Sequence, residues 1–437
     1  MKFRISIFIL ITFMISGLYS QENIEIEQES MLLDIETAVQ SALETQLSVK
    51  TGQIELEQSE RNYKHSWNQL LPSITAGVTG TQNSSLKDIS SSISTVSANI
   101  SASLNLNLGL ASKIKALKAS YESGKQDYTD TLRQVEYEVR KAFYSLLYVQ
   151  SQVESSKENL ESYKTQYEQT KAKKERGLVP EIDLLSSQVN YENAKIDLKN
   201  TEKSFSNALI EFLDQTGIKP SNGQSVVLQG SLDDYESLLD FDFDASQIDS
   251  ILENNSSVRA IKDSLEQTKL TKSQTISSTY LPALSLSAGV NPYSYNYAWS
   301  TNTSTSSNSW TASLGLSLSL DNLLPGSSAS DSIKTLEDSI TTLELQLQDK
   351  KQEVKTSILE MLNEIDIAKE SLENCKLNVE LAKKTYELGL VAFKNGTKDL
   401  SALQTIQNSY TTALLQLRNQ QLTLINNILE LKNTIGE

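Results

Sequence analysis

The stretch Asn99-Ile100-Ser101-Ala102-Ser103-Leu104-Asn105-Leu106-Asn107-Leu108 alternates, residue by residue, between a small polar side chain and an apolar one. Period two with two chemically different faces is the pattern of a β-strand. Three other stretches repeat it. Ile74, Ala76, Val78 and Gly80 alternate with Ser73, Thr75, Gly77 and Thr79. Leu284, Leu286, Ala288 and Val290 alternate with Ser285, Ser287 and Gly289, and Ala312, Leu314, Leu316, Leu318 and Leu320 with Thr311, Ser313, Gly315, Ser317 and Ser319. The strands are expected at about 73–81, 98–110, 283–291 and 310–320, with Ser/Thr/Asn-rich loops at 81–97 and 294–308.

Neither face of these segments carries a charge. Strands of about ten residues, apolar on one side and small and polar on the other, suit a bilayer outside and a lumen inside. For a single hairpin of this kind, a soluble sandwich with surface loops would be the better reading. Tyr280, Tyr293, Tyr295, Tyr297, Trp299 and Trp310 gather at the strand ends, where they fit an interfacial aromatic belt or loop and partner contacts. A bilayer tolerates no open sheet edge, because unpaired backbone groups in hydrocarbon cost several kcal/mol each. Four strands are fewer than the roughly eight of the smallest transmembrane barrel. Closure therefore requires further copies of the chain, and three copies supply twelve strands.

The strands sit inside a tandem repeat. Gln69-Leu70-Leu71-Pro72 is echoed 210 residues later by Thr279-Tyr280-Leu281-Pro282. At an offset of 219, Tyr167 matches Tyr386, Gly177 matches Gly396, Gln188 matches Gln407, Tyr191 matches Tyr410, Ala194 matches Ala413 and Gly217 matches Gly436. The repeats span 33–217 and 244–436, joined by an acidic, irregular connector at 218–243. Each reads helix, strand, strand, long helix, turn, helix.

The helices carry a seven-residue period. Leu184, Tyr191, Leu198, Phe205 and Phe212 recur in the first repeat, and Leu403, Tyr410, Leu417, Leu424 and Leu431 in the second. Such a period specifies coiled-coil packing. Gln188, Lys195 and Glu202, interleaved with the first set, are polar, as suits helices that face water on one side. From 111 to 176 and from 330 to 395 there is no proline and one glycine each, Gly124 and Gly389, so each long helix can run roughly 100 Å. Gly177 and Gly396 mark reversals, since glycine accepts the left-handed conformation that ends helices. Pro180 stands where the next helix begins.

Composition narrows the chemistry. The chain has 437 residues, 55 acidic against 39 basic, one His, one Cys and 38% apolar residues. The net charge of −16 excludes a nucleic-acid partner. One His and one Cys rule out most His- or Cys-based metal sites and any intrachain disulfide, and no catalytic constellation stands out. His65, near Trp67, reads as a packing residue, and Cys375 as a small helical side chain. Lys2 and Arg4 precede the apolar run 5–18, and Ser20 supplies a small residue before Gln21, so 1–20 reads as an export signal. Cleavage there removes two positive charges and no negative one, taking the net charge from −16 to −18.

With these features in place the chain resembles the TolC family of outer-membrane efflux channels over about 33–436. The matching residues are Leu33-Asp34-Ile35-Glu36-Thr37-Ala38-Val39, the Leu71-Pro72 and Leu281-Pro282 junctions, the tip Gly177-Leu178-Val179 with Asp183, and the second tip Gly396-Thr397-Lys398. The resemblance implies an α+β, mainly helical fold in which a homotrimer builds a twelve-stranded barrel in outer-membrane lipid and a helical barrel in the periplasm. It also implies a periplasmic adaptor (membrane fusion) protein and an inner-membrane transporter as partners, with no cofactor, metal or catalytic site. By position, Gly177, Leu178, Val179, Gly396 and Thr397 would dock the adaptor. Asp183 and Lys398 would form a link at the periplasmic gate, with Phe393 where relatives often carry Tyr. Ala402 and Thr405 stand where relatives often carry a carboxylate ring. The reading from a different class is a periplasmic coiled-coil structural or adaptor protein with no pore.

Overall fold

The structure, a computed structural model, describes residues 31–85, 88–221, 224–238 and 248–436. The expected export signal at 1–20 lies outside these residues, as do 222–223 and 239–243 of the connector. A short strand, β1 (Met31–Leu33), leads into α1 (Ile35–Thr45) and α2 (Leu47–Lys64). Strands β2 (Ser73–Ser85) and β3 (Asp88–Leu106) precede the helical hairpin α3 (Gly109–Glu175) and α4 (Glu181–Thr216). After β4 (Val226–Leu228), α5 (Tyr235–Leu238) and α6 (Ile248–Asn254), the plan recurs. It runs through α7 (Ser256–Tyr280), β5 (Ala283–Ala298), β6 (Thr303–Ser317), α8 (Ser328–Lys394) and α9 (Leu400–Ile435).

The helices keep the period of the sequence repeat. Both α3 and α8 have 67 residues, and both α4 and α9 have 36. Each boundary of the second hairpin falls 219 residues after its counterpart: 109 and 328, 175 and 394, 181 and 400, 216 and 435. The matched tyrosines become matched contacts. Tyr167 stacks on Tyr191 at 5.9 Å between ring centres, and Tyr386 stacks on Tyr410 at 5.8 Å. Gly217 and Gly436 end α4 and α9 at φ 70° and 89°, where a Cβ would strike Thr45 and Arg133 respectively.

Three expectations need correction. The strands are longer than expected at their outer ends: β2 runs to Ser85, β3 begins at Asp88, β5 runs to Ala298 and β6 begins at Thr303. The Ser/Thr/Asn-rich stretches at 81–97 and 294–308 are therefore mostly strand, because their backbones stay paired across the ladder, Thr81 with Thr95 and Tyr297 with Ser304. At their helical ends the strands stop early, at Leu106 and Ser317, since Gly109 starts α3 and Leu320–Leu323 forms a 3₁₀ turn. The connector is not irregular throughout either. Its strand β4 pairs in parallel with β1, Met31 opposite Val226 and Leu33 opposite Leu228.

One apolar core joins the two hairpins at mid-length. It brings Val139, Phe143 and Leu147 of α3 together with Phe212 of α4, Ile358 and Ile365 of α8, and Leu424, Ile428 and Leu431 of α9. Leu33, Val39, Leu228, Leu252 and Val258 wrap it from outside the hairpins. Asp34 caps α1 by accepting a 2.7 Å hydrogen bond from the Thr37 backbone N–H, which also holds its carboxyl below the usual carboxylate range. The helices lie side by side in a layer one helix deep. On the sheet side of the core the order is α2–α3–α7–α8, and towards the tips it is α4–α3–α9–α8.

Candidate functional site

The function of a thin-walled molecule resides in its faces and ends. The sheet has the order β2–β3–β5–β6, all antiparallel, with β2 and β6 as open edges. Its register aligns the apolar side chains in rungs across all four strands. Ile74, Ala102, Ala288 and Ala312 form one rung, and Ala76, Ile100, Val290 and Trp310 the next. Leu104, Leu286 and Leu314 lie side by side, as do Leu106, Leu284 and Leu316. None of these side chains is buried, and most are exposed, Trp310 at 76% and Leu314 at 72%. An apolar face of this kind with no protein over it needs a nonaqueous neighbour.

The opposite face is hydroxylic. Ser73 and Ser103 lie 2.8 Å apart, Thr75 and Ser101 2.9 Å, and Ser287 and Ser313 2.6 Å, each pair joined by a hydrogen bond. Among the strand residues whose side chains are described, none carries a charge. A ladder of paired hydroxyls offers water a hydrogen-bonding surface with no charge preference.

A bulge decides where the tyrosines point. Ala98 and Ile100 of β3 are two residues apart, yet their β5 partners Tyr293 and Val290 are three apart. The extra residue falls at Asn291-Pro292, and a proline, lacking its N–H, is tolerated at such a break in the ladder. Without it, strict alternation from Val290 would carry Pro292, Ser294 and Asn296 onto the apolar face. With it, Tyr293, Tyr295 and Tyr297 join that face opposite Ala98, Val96 and Ser94. Trp299 extends the row, its ring edge-on to Tyr297 at 5.1 Å and its Nε1–H donating to Ser94 at 2.9 Å. At the other end of the strands, Trp67, Leu70 and Leu71 beside β2 and Leu320, Leu323 and Leu324 beyond β6 are exposed on short 3₁₀ turns. His65, expected as a packing residue, sits exposed at the C-cap of α2; Cys375 is buried in α8.

The hairpin tips are built alike. Gly177 and Gly396 have φ of 72° and 75°, and each follows a helix whose last carbonyls are satisfied from the turn. Leu178 N–H donates to Lys173 O and Thr397 N–H to Ala392 O, both at 2.9 Å, in the manner of a Schellman motif. Pro180 and Asp399 are the N-caps of α4 and α9, and Asp399 accepts from Ala402 N–H at 2.7 Å. Gly177, Leu178, Gly396, Thr397 and Lys398 are exposed and Val179 is half-buried. Leu178 has no apolar cover, at 69% exposed.

The expected gate residues do not meet within the chain. Among the described residues no ion pair joins Asp183 to Lys398. The wall order α4–α3–α9–α8 separates them, with Asp183 in the first turn of α4 on one flank and Lys398 in the α8–α9 turn at the other. Phe393 is buried against Leu400, Leu403, Tyr386 and Leu390. The contact missed by sequence reasoning is Lys173, whose Nζ donates to the Phe393 carbonyl at 2.7 Å and lies 4.0 Å from the centre of its ring. A lysine among several near the end of a helix carries no sequence signal for such a contact.

Among the described residues, no group of His, Cys, Asp and Glu side chains is placed to hold a metal ion, and no helix is long and apolar enough to cross a membrane. The fold has close relatives among solved structures. Over 93% of both chains it superposes on CusC with a TM-score of 0.76 at 13% identity. It matches the outer membrane channel CmeC of Campylobacter jejuni with a TM-score of 0.73 at 16% identity, over 92% of this chain and 85% of that one. The MtrE outer membrane channel of Neisseria gonorrhoeae gives 0.72 at 16% identity, over 92% and 88%. No curated protein sequence matches the chain. The family model for outer membrane efflux proteins matches residues 38–217 and 247–437, and the chain belongs to that family of outer-membrane channels.

Proposed function

We propose that three copies of the chain form one continuous duct that passively carries cargo from an inner-membrane transporter and a periplasmic adaptor through the outer membrane. The observation that carries this reading is the pairing of open edges with unpartnered flanks. The sheet leaves β2 and β6 unpaired, and the wall leaves α4 and α8 on its two flanks. Both flanks bear an exposed apolar stripe at helical spacing: Ile182, Leu185, Val189 and Ile196 on α4, and Leu377, Leu381, Leu388 and Val391 on α8. Joining β6 to the β2 of a second copy brings α8 beside the second copy's α4. Three such joints close both layers, giving twelve strands from four.

Across that joint Asp183 comes to the side of the next copy's Lys398, so the gate link lies between copies. The exposed tips at Gly177, Leu178, Val179, Gly396 and Thr397 then form the end available to the adaptor. Cysteines replacing Val189 and Leu388 test the assembly: oxidation is expected to yield covalent trimers, and crosslinks confined to single chains would overturn it. For the partner, a photo-crosslinker at Leu178 or Thr397 in cells is expected to capture a periplasmic helical-hairpin protein. Labelling of this chain alone removes the docking role. For the gate, Asp183→Ala is expected to raise single-channel conductance in planar bilayers, and unchanged conductance ends its gating role.

A further inference from the structure

The outer face of the sheet carries aromatic rings in two different arrangements. Trp310 and Tyr293 stand on adjacent rungs at the upper end of the apolar band, Trp310 opposite Val290 and Tyr293 opposite Ala98. Beyond them Tyr295, Tyr297 and Trp299 follow in single file along β5 and its end. At about 3.3 Å per residue and a tilt of about 40°, Leu284 to Tyr293 rises roughly 20 Å along the membrane normal. With the exposed leucines below Leu284, this accounts for the apolar band of an outer-membrane barrel, about 25 Å tall. Tyr293 to Trp299 adds roughly 15 Å more. Rings of an interfacial belt share one depth, whereas this file runs along the normal and leaves the hydrocarbon. The helices occupy the periplasmic side, so the file stands at the outer leaflet, whose lipid in such membranes is a glycolipid.

The neighbours of the file are short and uncharged. Tyr295 lies between Val96 and Ser306, and Tyr297 between Ser94 and Ser304, so each ring rises above short side chains on both sides. Two of the rings are fixed. Trp299 Nε1–H donates to Ser94 Oγ at 2.9 Å, Tyr297 OH donates to Asn302 Oδ1, and the rings meet edge-on. A belt tyrosine turns its hydroxyl towards water and headgroups, but that of Tyr297 is held by Asn302, in the turn before β6 at φ 52°. Rings ordered beforehand lose little freedom on binding. Among the strand residues whose side chains are described, none is charged, so this face offers no Lys or Arg to a phosphate.

A pyranose presents C–H bonds on one face and hydroxyls around its rim. The face of an aromatic ring is electron-rich and takes the C–H side, while serine hydroxyls take the rim. We propose that Tyr295, Tyr297 and Trp299, with Ser304 and Ser306 beside them, bind neutral sugars of the outer-leaflet glycolipid. The site continues the lipid-facing band, so a glycolipid whose acyl chains lie on that band brings its sugars onto these rings. It needs the outer-membrane placement of the sheet and lies within one copy, so it is independent of the closed duct.

The test titrates the full-length protein, in a detergent without a sugar headgroup, with two probes. One is dephosphorylated lipopolysaccharide bearing its core sugars, the other dephosphorylated lipid A, with binding read by thermophoresis. The wild type is expected to bind the core-bearing form roughly tenfold more tightly. Tyr297→Ala with Trp299→Ala is expected to erase that preference. Tyr295→Phe with Tyr297→Phe, which keeps the ring faces, and Trp310→Ala, which lies within the apolar band, are expected to retain it. Equal binding of the two probes by the wild type overturns the site and leaves an aromatic surface without sugar recognition. So does a preference that survives Y297A/W299A, is lost with the phenylalanines, or falls equally with W310A. Binding is read without conductance, so each of these outcomes leaves the duct reading standing, and a channel without conductance leaves the sugar site standing.

Discussion

The equatorial core and the tip-side seam join the same two hairpins by opposite means. At the core, Phe143, Ile358, Leu424 and Leu431 are each at most 2% exposed, and the helices are held by excluded apolar area. In the seam between α3 and α9 towards the tips, Gln166 and Gln407 are just as buried, yet Gln166 donates a hydrogen bond to the Gln407 side-chain carbonyl. Burial alone therefore does not say whether an interface is permanent. Apolar contacts oppose separation over their whole area, while uncharged hydrogen bonds mainly set the alignment of the helices.

The comparison can be broken most directly at the core. Phe143 packs 5.8 Å from Phe212, and Phe143→Ala is expected to lower stability by about 3–5 kcal/mol, read as a fall in denaturant midpoint in detergent. Gln407→Leu should move that midpoint far less, because it trades hydrogen bonds for apolar contact. Equal losses at the two sites would end the distinction drawn here.

A smaller effect is expected where the core begins. Removing the α1 cap with Asp34→Ala should cost about 1 kcal/mol, with the channel's conductance unchanged. Smallest of all is the contribution of charge around the core. Glu253 receives hydrogen bonds from Lys262 and Lys351, which hold its pKa at about 2 against an ordinary 4.5. The folded value is depressed, so this contribution is complete above pH 4.5 and is lost as pH falls towards 2. Glu253→Gln should flatten the acid limb of a pH–stability curve slightly, and less so in high salt, because the pair is exposed. A large loss at neutral pH would show that charge shares the core's role.

The low apolar content of a long chain follows from the same architecture. A wall one helix or one strand deep has two faces, and in most of this chain only one of them packs. Gln188, Lys195 and Glu202, which interrupt the apolar period, are all exposed. Sequence reasoning reached the strands, the hairpins, the tips and their repeat because each is written in local spacing. Asp183 and Lys398 belong to opposite flanks of one wall and do not meet within one chain, and the contact of Lys173 with Phe393 had no local signal.

What the sequence determined by itself is therefore what repeats at short range. Alternation made strands, the heptad period made hairpins, glycine at 177 and 396 made reversals, and the 219-residue offset made the second half a copy of the first. Tertiary structure decided what depends on neighbours. Gln188 and Gln407 are matched in the repeat, yet one is exposed and the other lies buried on Gln166, because only α9 has α3 beside it as well as its own hairpin partner. The tyrosines of β5 reach the apolar face only through the extra residue at Asn291-Pro292, which pairing with β3 reveals and alternation alone hides. Periodicity specifies which face a side chain shares with its near neighbours in sequence; what that face meets is settled only when the elements are packed.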